Sequence, residues 1–354
     1  MAHNLDDLAY VTRLDPKEML RLTVEFPQQC RRALDIASKT VLPELDIEPD
    51  LVVLTGLGGS AAGGDFVRCL FEAEGSVPFF VNRDYHLPAF VGSSSLVICS
   101  SYSGNTEETL SAYSEAQGRG CQILAVTSGG KLAERAQADG HPVILIPGGQ
   151  PPRTALGFML VPVVSACVTL GLLPAPDFEA AFTLLDSCVT EWGVANAFES
   201  NPTKQLAQEL HGAVSVLYGL GSHQAVVANR WKGQINENAK NMTFANAFPE
   251  LNHNEILGWV RANEQGVNRW VAVILEDGEE SAKMQARRDV TTQLIHERAT
   301  VHRVSALGDT LWQRMLSLVL MGDFVSLYLA ALNGVDPENI DSINILKTEL
   351  GKIA

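Results

Sequence analysis

Twice along the chain a short apolar run ends in a glycine-rich turn and passes at once into a stretch with helical spacing. Leu51-Val52-Val53-Leu54 leads into Gly56-Leu57-Gly58-Gly59-Ser60, and Val214-Ser215-Val216-Leu217-Tyr218 leads into Gly219-Leu220-Gly221-Ser222. A short strand that is apolar at successive positions is buried on both faces, which is the situation inside a parallel sheet covered by helices. Further strands are expected at residues 77–81, 96–99, 121–127 and 143–146 in the first half, and at 270–275 and 300–304 in the second. Helices are expected at 60–74 and 105–117, the latter with Glu107 and Glu108 in its first turn. The alternation predicts an α/β chain of two similar halves, each a mainly parallel sheet flanked by helices. A looser stretch with Pro174, Pro176 and Asp177 marks the linker. The expected organisation is a helical segment at 1–45, a first subdomain at 46–175, a second at 176–335, which includes a long apolar helix at 311–332, and a C-terminal helix at 336–354.

Composition narrows the function. The 354 residues are 46% hydrophobic, enough for sizeable cores, and the formal net charge of −15 repels phosphate backbones and anionic lipid. A general nucleic-acid or membrane-surface role is therefore not expected, although a local pocket for one small anion is compatible with it. The six cysteines (Cys30, Cys69, Cys99, Cys121, Cys167, Cys188) form no CxxC pair and several lie in apolar runs, as reduced core residues do. The N-terminus has neither a basic start nor an apolar core of the secretory type. Residues 155–173 carry no charge and are about long enough to span a bilayer, but Pro162, Ser165 and Thr169 interrupt them, and a buried helix is expected.

Gly56-Leu57-Gly58-Gly59-Ser60-Ala61 stands at a strand-to-helix junction, where glycines let a ligand approach exposed N–H groups and the helix terminus adds partial positive charge. The same string satisfies G-x-G-x-x-A, so a nucleotide site, a sugar or phosphate site and a plain tight turn all fit it, and Asp84 lies at a spacing that suits a ribose contact. The next loop, Ser100-Ser101-Tyr102-Ser103-Gly104-Asn105-Thr106, shifts the balance. Hydroxyls clustered round a glycine at a helix start suit a phosphate monoester, whereas N-capping by Ser103 or Asn105 needs only one such residue. Arg153 follows two prolines and precedes the apolar helix, where a cation opposes the helix dipole; a fixed guanidinium there suits an enediolate oxygen, and a surface arginine is the plain alternative. On spacing alone, Glu237, His253 and Lys347 read as ordinary helix or structural residues. The histidines show no HxH, HxxxH or HExxH spacing, so no metal site is expected. His223, just after the second glycine turn, is the remaining histidine of interest.

Gly58-Gly59-Ser60 followed by Ser101-Tyr102-Ser103-Gly104-Asn105-Thr106-Glu107-Glu108-Thr109 resembles the SIS, or sugar isomerase, domain. From about residue 35 to the end, the chain resembles the bifunctional phosphoglucose/phosphomannose isomerase family. The further pieces are Thr127-Ser128-Gly129-Gly130, Pro151-Pro152-Arg153-Thr154-Ala155-Leu156-Gly157, Asn236-Glu237-Asn238, Glu250-Leu251-Asn252-His253-Asn254 and Lys347. The segment Asn339-Ile340-Asp341-Ser342 ahead of Lys347 departs from the family's proline-rich spelling. The resemblance implies two SIS subdomains, a homodimer and no cofactor. It places the carboxylate base at Glu237, a ring-opening histidine at His253 supplied by the other subunit, and a role at the sugar ring for Lys347.

The sequence thus leads to a cytoplasmic isomerase of hexose 6-phosphates, interconverting glucose and mannose 6-phosphates with fructose 6-phosphate through a cis-enediol. Glu237, His253, Lys347 and Arg153 are the expected catalytic residues. Gly59, Ser60, Ser101, Ser103, Thr106 and Arg153 are the expected substrate-binding residues. A non-catalytic SIS sensor of sugar phosphates would keep the phosphate loop without needing Glu237, His253 and Arg153. A dinucleotide-dependent oxidoreductase and an aminosugar isomerase are further alternatives; the hydroxyl-rich loop argues against the first, and against the second the expectation is that no glutaminase region precedes the first strand.

Overall fold

The computed structural model describes residues 4–352, and the chain divides into two compact units. One contains Glu25–Asp186 with Asp309–Gln313; the other contains the N-terminal stretch up to Val24, Ser187–Gly308 and the stretch from Arg314 onward. Ahead of the first strand lie α1 (Leu8–Leu14) and α2 (Met19–Val24), which belong to the second of these units, and α3 (Phe26–Lys39), which belongs to the first.

The first unit runs β1 (Leu51–Thr55), α4 (Gly58–Glu74), β2 (Phe79–Asn82), β3 (Ser95–Ser101), α5 (Glu107–Gly118), β4 (Gln122–Thr127), α6 (Gly130–Ala138), β5 (Val143–Leu145) and α7 (Leu156–Thr169), and ends within α8 (Phe178–Trp192). Its five strands are parallel in the order β2-β1-β3-β4-β5. Every residue of β3 is buried, as a strand with neighbours on both edges and helices on both faces must be. Glycines set how closely α4 approaches its neighbours. A Cβ on Gly63 would stand 3.1 Å from the Met159 carbonyl oxygen of α7, and one on Gly64 would stand 2.8 Å from a Leu54 methyl of β1. Helix α7 is buried from Leu156 through Cys167, so the uncharged stretch is a core helix, apolar all round for that reason.

The second unit adds α9 (Pro202–Leu210), β6 (Val214–Gly219), α10 (Ser222–Gln234), β7 (Thr243–Ala247), β8 (Trp270–Glu276), α11 (Ala282–Ile295), β9 (Ala299–Ser305), α12 (Leu311–Leu332) and α13 (Asp341–Leu350). Its four strands are parallel in the order β7-β6-β8-β9. Helix α12 is long and apolar enough to cross a membrane, yet 89% of its most apolar window is buried within the protein. It crosses α10 closely at Gly322, where a Cβ would stand 2.2 Å from Nε1 of the buried Trp231, and Trp231 donates to the Leu318 carbonyl at 2.7 Å. Lys204, fully buried, draws the N-terminal segment onto this unit: its ammonium binds Asp6 at 2.8 Å and the Val194 and Asn196 carbonyls at 3.0 and 2.7 Å. Helix α13 has no buried residue.

Strand β7 is the element that the sequence pattern does not announce. Its residues Thr-Phe-Ala-Asn-Ala form no apolar run, because an edge strand paired only to β6 keeps Phe244 half exposed and Asn246 partly exposed.

Candidate active site

The order β2-β1-β3 makes the gap between the C-terminal ends of β1 and β3 the switch point of the first sheet, where successive crossovers leave in opposite directions and a crevice opens. The two motifs that stood out in the sequence follow these two strands. They meet through Ser60, whose hydroxyl accepts the Tyr102 N–H at 3.2 Å. Ser101 Oγ accepts the Gly104 N–H at 3.1 Å and pairs with Thr106 Oγ1 at 2.9 Å. Gly104 has φ +67°, and a Cβ there would stand 1.8 Å from the Gly129 carbonyl oxygen, so the loop lies directly on the Thr127–Gly130 turn. Ser128 secures that contact from the other side, donating to the Tyr102 carbonyl at 2.6 Å.

The capping alternative does not describe this loop. Helix α5 begins after Thr106, and no side chain caps it. Ser103 instead accepts the Asn105 N–H at 3.2 Å, and Asn105 Oδ1 accepts the Lys131 N–H of α6 at 3.2 Å. The first-turn N–H groups of α5 are thus left without a side-chain cap, and the hydroxyls of Ser101, Ser103 and Thr106 lie in the loop just ahead of them, an arrangement suited to a dianion.

Arg153 lies on a 3-10 turn, Pro152–Thr154, at the head of α7 and is only 7% exposed, so it is no surface arginine. The turn abuts the first glycine motif: a Cβ on Gly59 would stand 3.0 Å from the Pro152 carbonyl oxygen. From behind, Gln29 of α3 braces it, donating to the Thr154 carbonyl at 2.9 Å and accepting the Gly157 N–H at 2.7 Å. One unit thus brings together Gly59, Ser60, Ser101, Ser103, Thr106 and the turn carrying Arg153.

The second unit repeats the geometry without the chemistry. Its switch point lies between β6 and β8, with Gly219–Ser222 after one and an acidic loop, Asp277-Gly278-Glu279-Glu280-Ser281, after the other. There the Asp277 and Gly278 N–H groups already donate to the Glu280 carboxylate, at 2.7 and 3.0 Å. The N–H groups just after β8 are thus already met by a carboxylate of the same loop, which neither glycine turn reveals by itself.

Glu237 is half-buried in a π-helical turn, Ile235–Ala239, that continues α10. Such turns insert one residue into a helix and are frequent at functional sites. This turn precedes β7, whereas the 3-10 turn Glu250–His253 follows it, so Glu237 and His253 stand at opposite ends of that strand. Five residues of strand span about 17 Å. His253 is exposed; Lys347 lies on the exposed α13; His223 is half-buried in the first turn of α10. Among the described residues, no group of three or more His, Cys, Asp and Glu side chains is placed to hold a metal ion.

Residues 199–350 match the bacterial phospho-glucose isomerase C-terminal SIS domain. The bifunctional phosphoglucose/phosphomannose isomerase of Caldicellulosiruptor bescii is 40% identical over 338 residues, covering 95% of this chain and 99% of its own. The enzyme of the same name from Aquifex aeolicus is 37% identical over 318 residues, covering 87% and 94%. Among solved structures, a hypothetical protein of Thermus thermophilus superposes with a TM-score of 0.75 at 14% identity, over 97% of this chain and 93% of that one, which is a likeness of fold. With the SIS-type fold and near full-length identity of this order, the chain belongs to the bifunctional phosphoglucose/phosphomannose isomerase family.

Proposed function

We propose that this protein interconverts glucose 6-phosphate and mannose 6-phosphate with fructose 6-phosphate. The observation that carries this reading is the uncapped start of α5 behind a hydroxyl-rich loop at the β1/β3 switch point, with buried Arg153 on the turn that abuts the first glycine motif, in a chain of this family. Ser101, Ser103 and Thr106 hold the phosphate, so that binding energy remote from the reacting carbons orients them. His253 or Lys347 moves the proton between the anomeric hydroxyl and the ring oxygen to open the ring. Glu237 removes a proton from C2 of the aldose and returns it to C1 through a cis-enediol. Arg153 offsets the negative charge on the enediolate oxygen. The separation of Glu237 and His253 along β7 supports a homodimer in which His253 serves the site of a second copy. A cytoplasmic setting belongs to the same reading.

The test is a coupled assay of the purified protein on glucose, mannose and glucosamine 6-phosphates, for the parent and for Glu237→Gln. The substitution keeps shape and removes the base. Binding of sugar phosphate is expected to persist while turnover falls by at least about 10²–10⁴-fold. Near-parental turnover on every accepted substrate would refute Glu237 as the base, and Glu250 would be the next carboxylate to replace. Sugar-phosphate binding without turnover in the parent would favour the sensor.

A further inference from the structure

The turn that carries Glu237 is fastened by the side chains of Asn236, Asn238, Lys240 and Asn333. Asn236 reaches to the edge strand, donating from Nδ2 to the Thr243 carbonyl at 3.1 Å and accepting the Thr243 N–H on Oδ1 at 3.1 Å. Its amide thereby acts as one more ladder partner at the start of β7. Asn238, 1% exposed, reaches the other way, donating to Ser326 Oγ of α12 at 2.9 Å, and Ser326 donates to the Asp323 carbonyl at 2.8 Å. The carbonyls at the end of the turn, which a helix terminus leaves without N–H partners, are met by side chains. Lys240, in a left-handed conformation at φ 52°, donates to the Glu237 carbonyl at 2.8 Å and to the Asp336 carbonyl at 2.7 Å. Asn333 donates to the Ala239 carbonyl at 2.8 Å.

From these contacts we infer that Asn236 and Asn238 are positioning residues for the general base: tied in opposite directions, to β7 and to α12, they fix the backbone of the π-turn between them and so hold the Glu237 carboxylate in its working orientation. The inference rests on Glu237 being the base. A π-turn needs such fastening, because its extra residue can migrate along the helix or be expelled, and either change rotates the side chain that the turn presents. Asn236 and Asn238 spend their amides on protein partners. Their effect on the reaction would therefore pass through Glu237, and a misplacement of about 1 Å can cost on the order of 10²-fold in rate.

The experiment compares Asn236→Ala, Ser326→Ala and Ser326→Thr with the parent, each alone and the first two also in a Glu237→Gln background. Ser326→Ala removes the acceptor of Asn238 by deleting a single oxygen; Ser326→Thr keeps the hydroxyl. Circular dichroism and thermal midpoints establish which variants are folded. The expected result is a fall in kcat of about 10- to 100-fold in Asn236→Ala and Ser326→Ala, with KM changed less than about twofold, and near-parental kcat in Ser326→Thr. In the Glu237→Gln background neither alanine substitution should reduce the residual rate further, because the carboxylate through which it acts is gone. A multiplicative further loss there would overturn the inference, and so would parental kcat in both folded alanine variants. The underlying reading fails separately, when Glu237→Gln alone keeps its turnover.

Discussion

At Gly104 the backbone takes φ +67°, and the space a Cβ would need is filled by the Gly129 carbonyl oxygen 1.8 Å away. Two independent reasons therefore require glycine: the left-handed conformation and the contact with backbone, which cannot swing aside as a side chain can. Gly104→Ala is expected to push the loop off the Thr127–Gly130 turn and spread Ser101, Ser103 and Thr106. KM for the sugar phosphate should rise about tenfold or more, and inorganic phosphate should lose potency as a competitor to match; a proportionate rise for both in steady-state kinetics checks this. Unchanged values would remove the loop from the binding site. The loop was legible in the sequence because it holds more hydroxyls than capping requires. What could not be read was which partner each hydroxyl takes: Ser101 meets Thr106 where the loop folds back on itself, and Ser60 of α4 meets Tyr102 of a loop far along the chain. Arg153 was legible as a conflict with the helix dipole, but its burial and its bracing by Gln29 depend on α3 and α7 packing together.

Most of the strands were legible as apolar runs, whereas β7 and the π-turn were not. An edge strand needs apolar residues on part of one face only, and a π-turn differs from an α-turn by one residue of hydrogen-bond register, which no side-chain periodicity records over five positions. The C-terminal helix begins at Asp341, later than the expected start at 336, since Asn339 Oδ1 accepts the Asp341 N–H at 3.1 Å and holds the chain in a turn there. The close crossing of α10 and α12 is equally invisible until the partners are known. Gly322→Ala places a methyl against the buried Trp231 ring, whose N–H is already committed to Leu318. A loss of about 1–3 kcal/mol is expected from overpacking, read as a lower urea midpoint at unchanged slope. At the other sheet, Glu115 of α5 accepts the Leu87 N–H at 2.7 Å and binds Arg119 at 2.7 Å, while Arg119 donates to the Pro88 and Val91 carbonyls at 2.7 and 2.9 Å. The Leu87 N–H, with Arg119 beside it, holds the Glu115 carboxyl below its usual range. A lowered folded-state value means stability that is present above the unfolded value, about pH 4.3, and lost as pH falls through the folded one. Glu115→Gln should therefore be less stable than the parent at pH 7, with the gap closing toward pH 3. Equal urea midpoints at pH 7, or a gap independent of pH, would contradict this.

For the whole molecule the arrangement that matters is that the π-turn carrying Glu237 precedes β7 and the turn carrying His253 follows it, with a strand of five residues, about 17 Å long, between the two turns. In the proposed mechanism a proton donor at the ring oxygen and a base at C2 address atoms a few ångströms apart, which favours drawing Glu237 and His253 from different chains over taking the intervening sheet edge apart. That edge is ordinary parallel ladder, with Ser215 to Gly219 of β6 paired in register to Thr243 to Ala247. Taking it apart would expose the buried side chains of β6. A two-fold assembly resolves the conflict without distortion, because a symmetric interface applied once is applied twice and completes both sites. The consequence is measurable in mixtures. Glu237→Gln and His253→Ala should each be inactive as pure proteins. Mixed in equal amounts and allowed to exchange subunits, half of the dimers become hybrid, and in each hybrid one site receives an intact Glu237 from one chain and an intact His253 from the other while its counterpart receives neither. Activity should return to about a quarter of the parental value per site under random pairing. Exchange is established separately by mixing differently tagged chains and isolating the doubly tagged species. Proven exchange without recovery would mean that each site is built from one chain and would overturn the shared site.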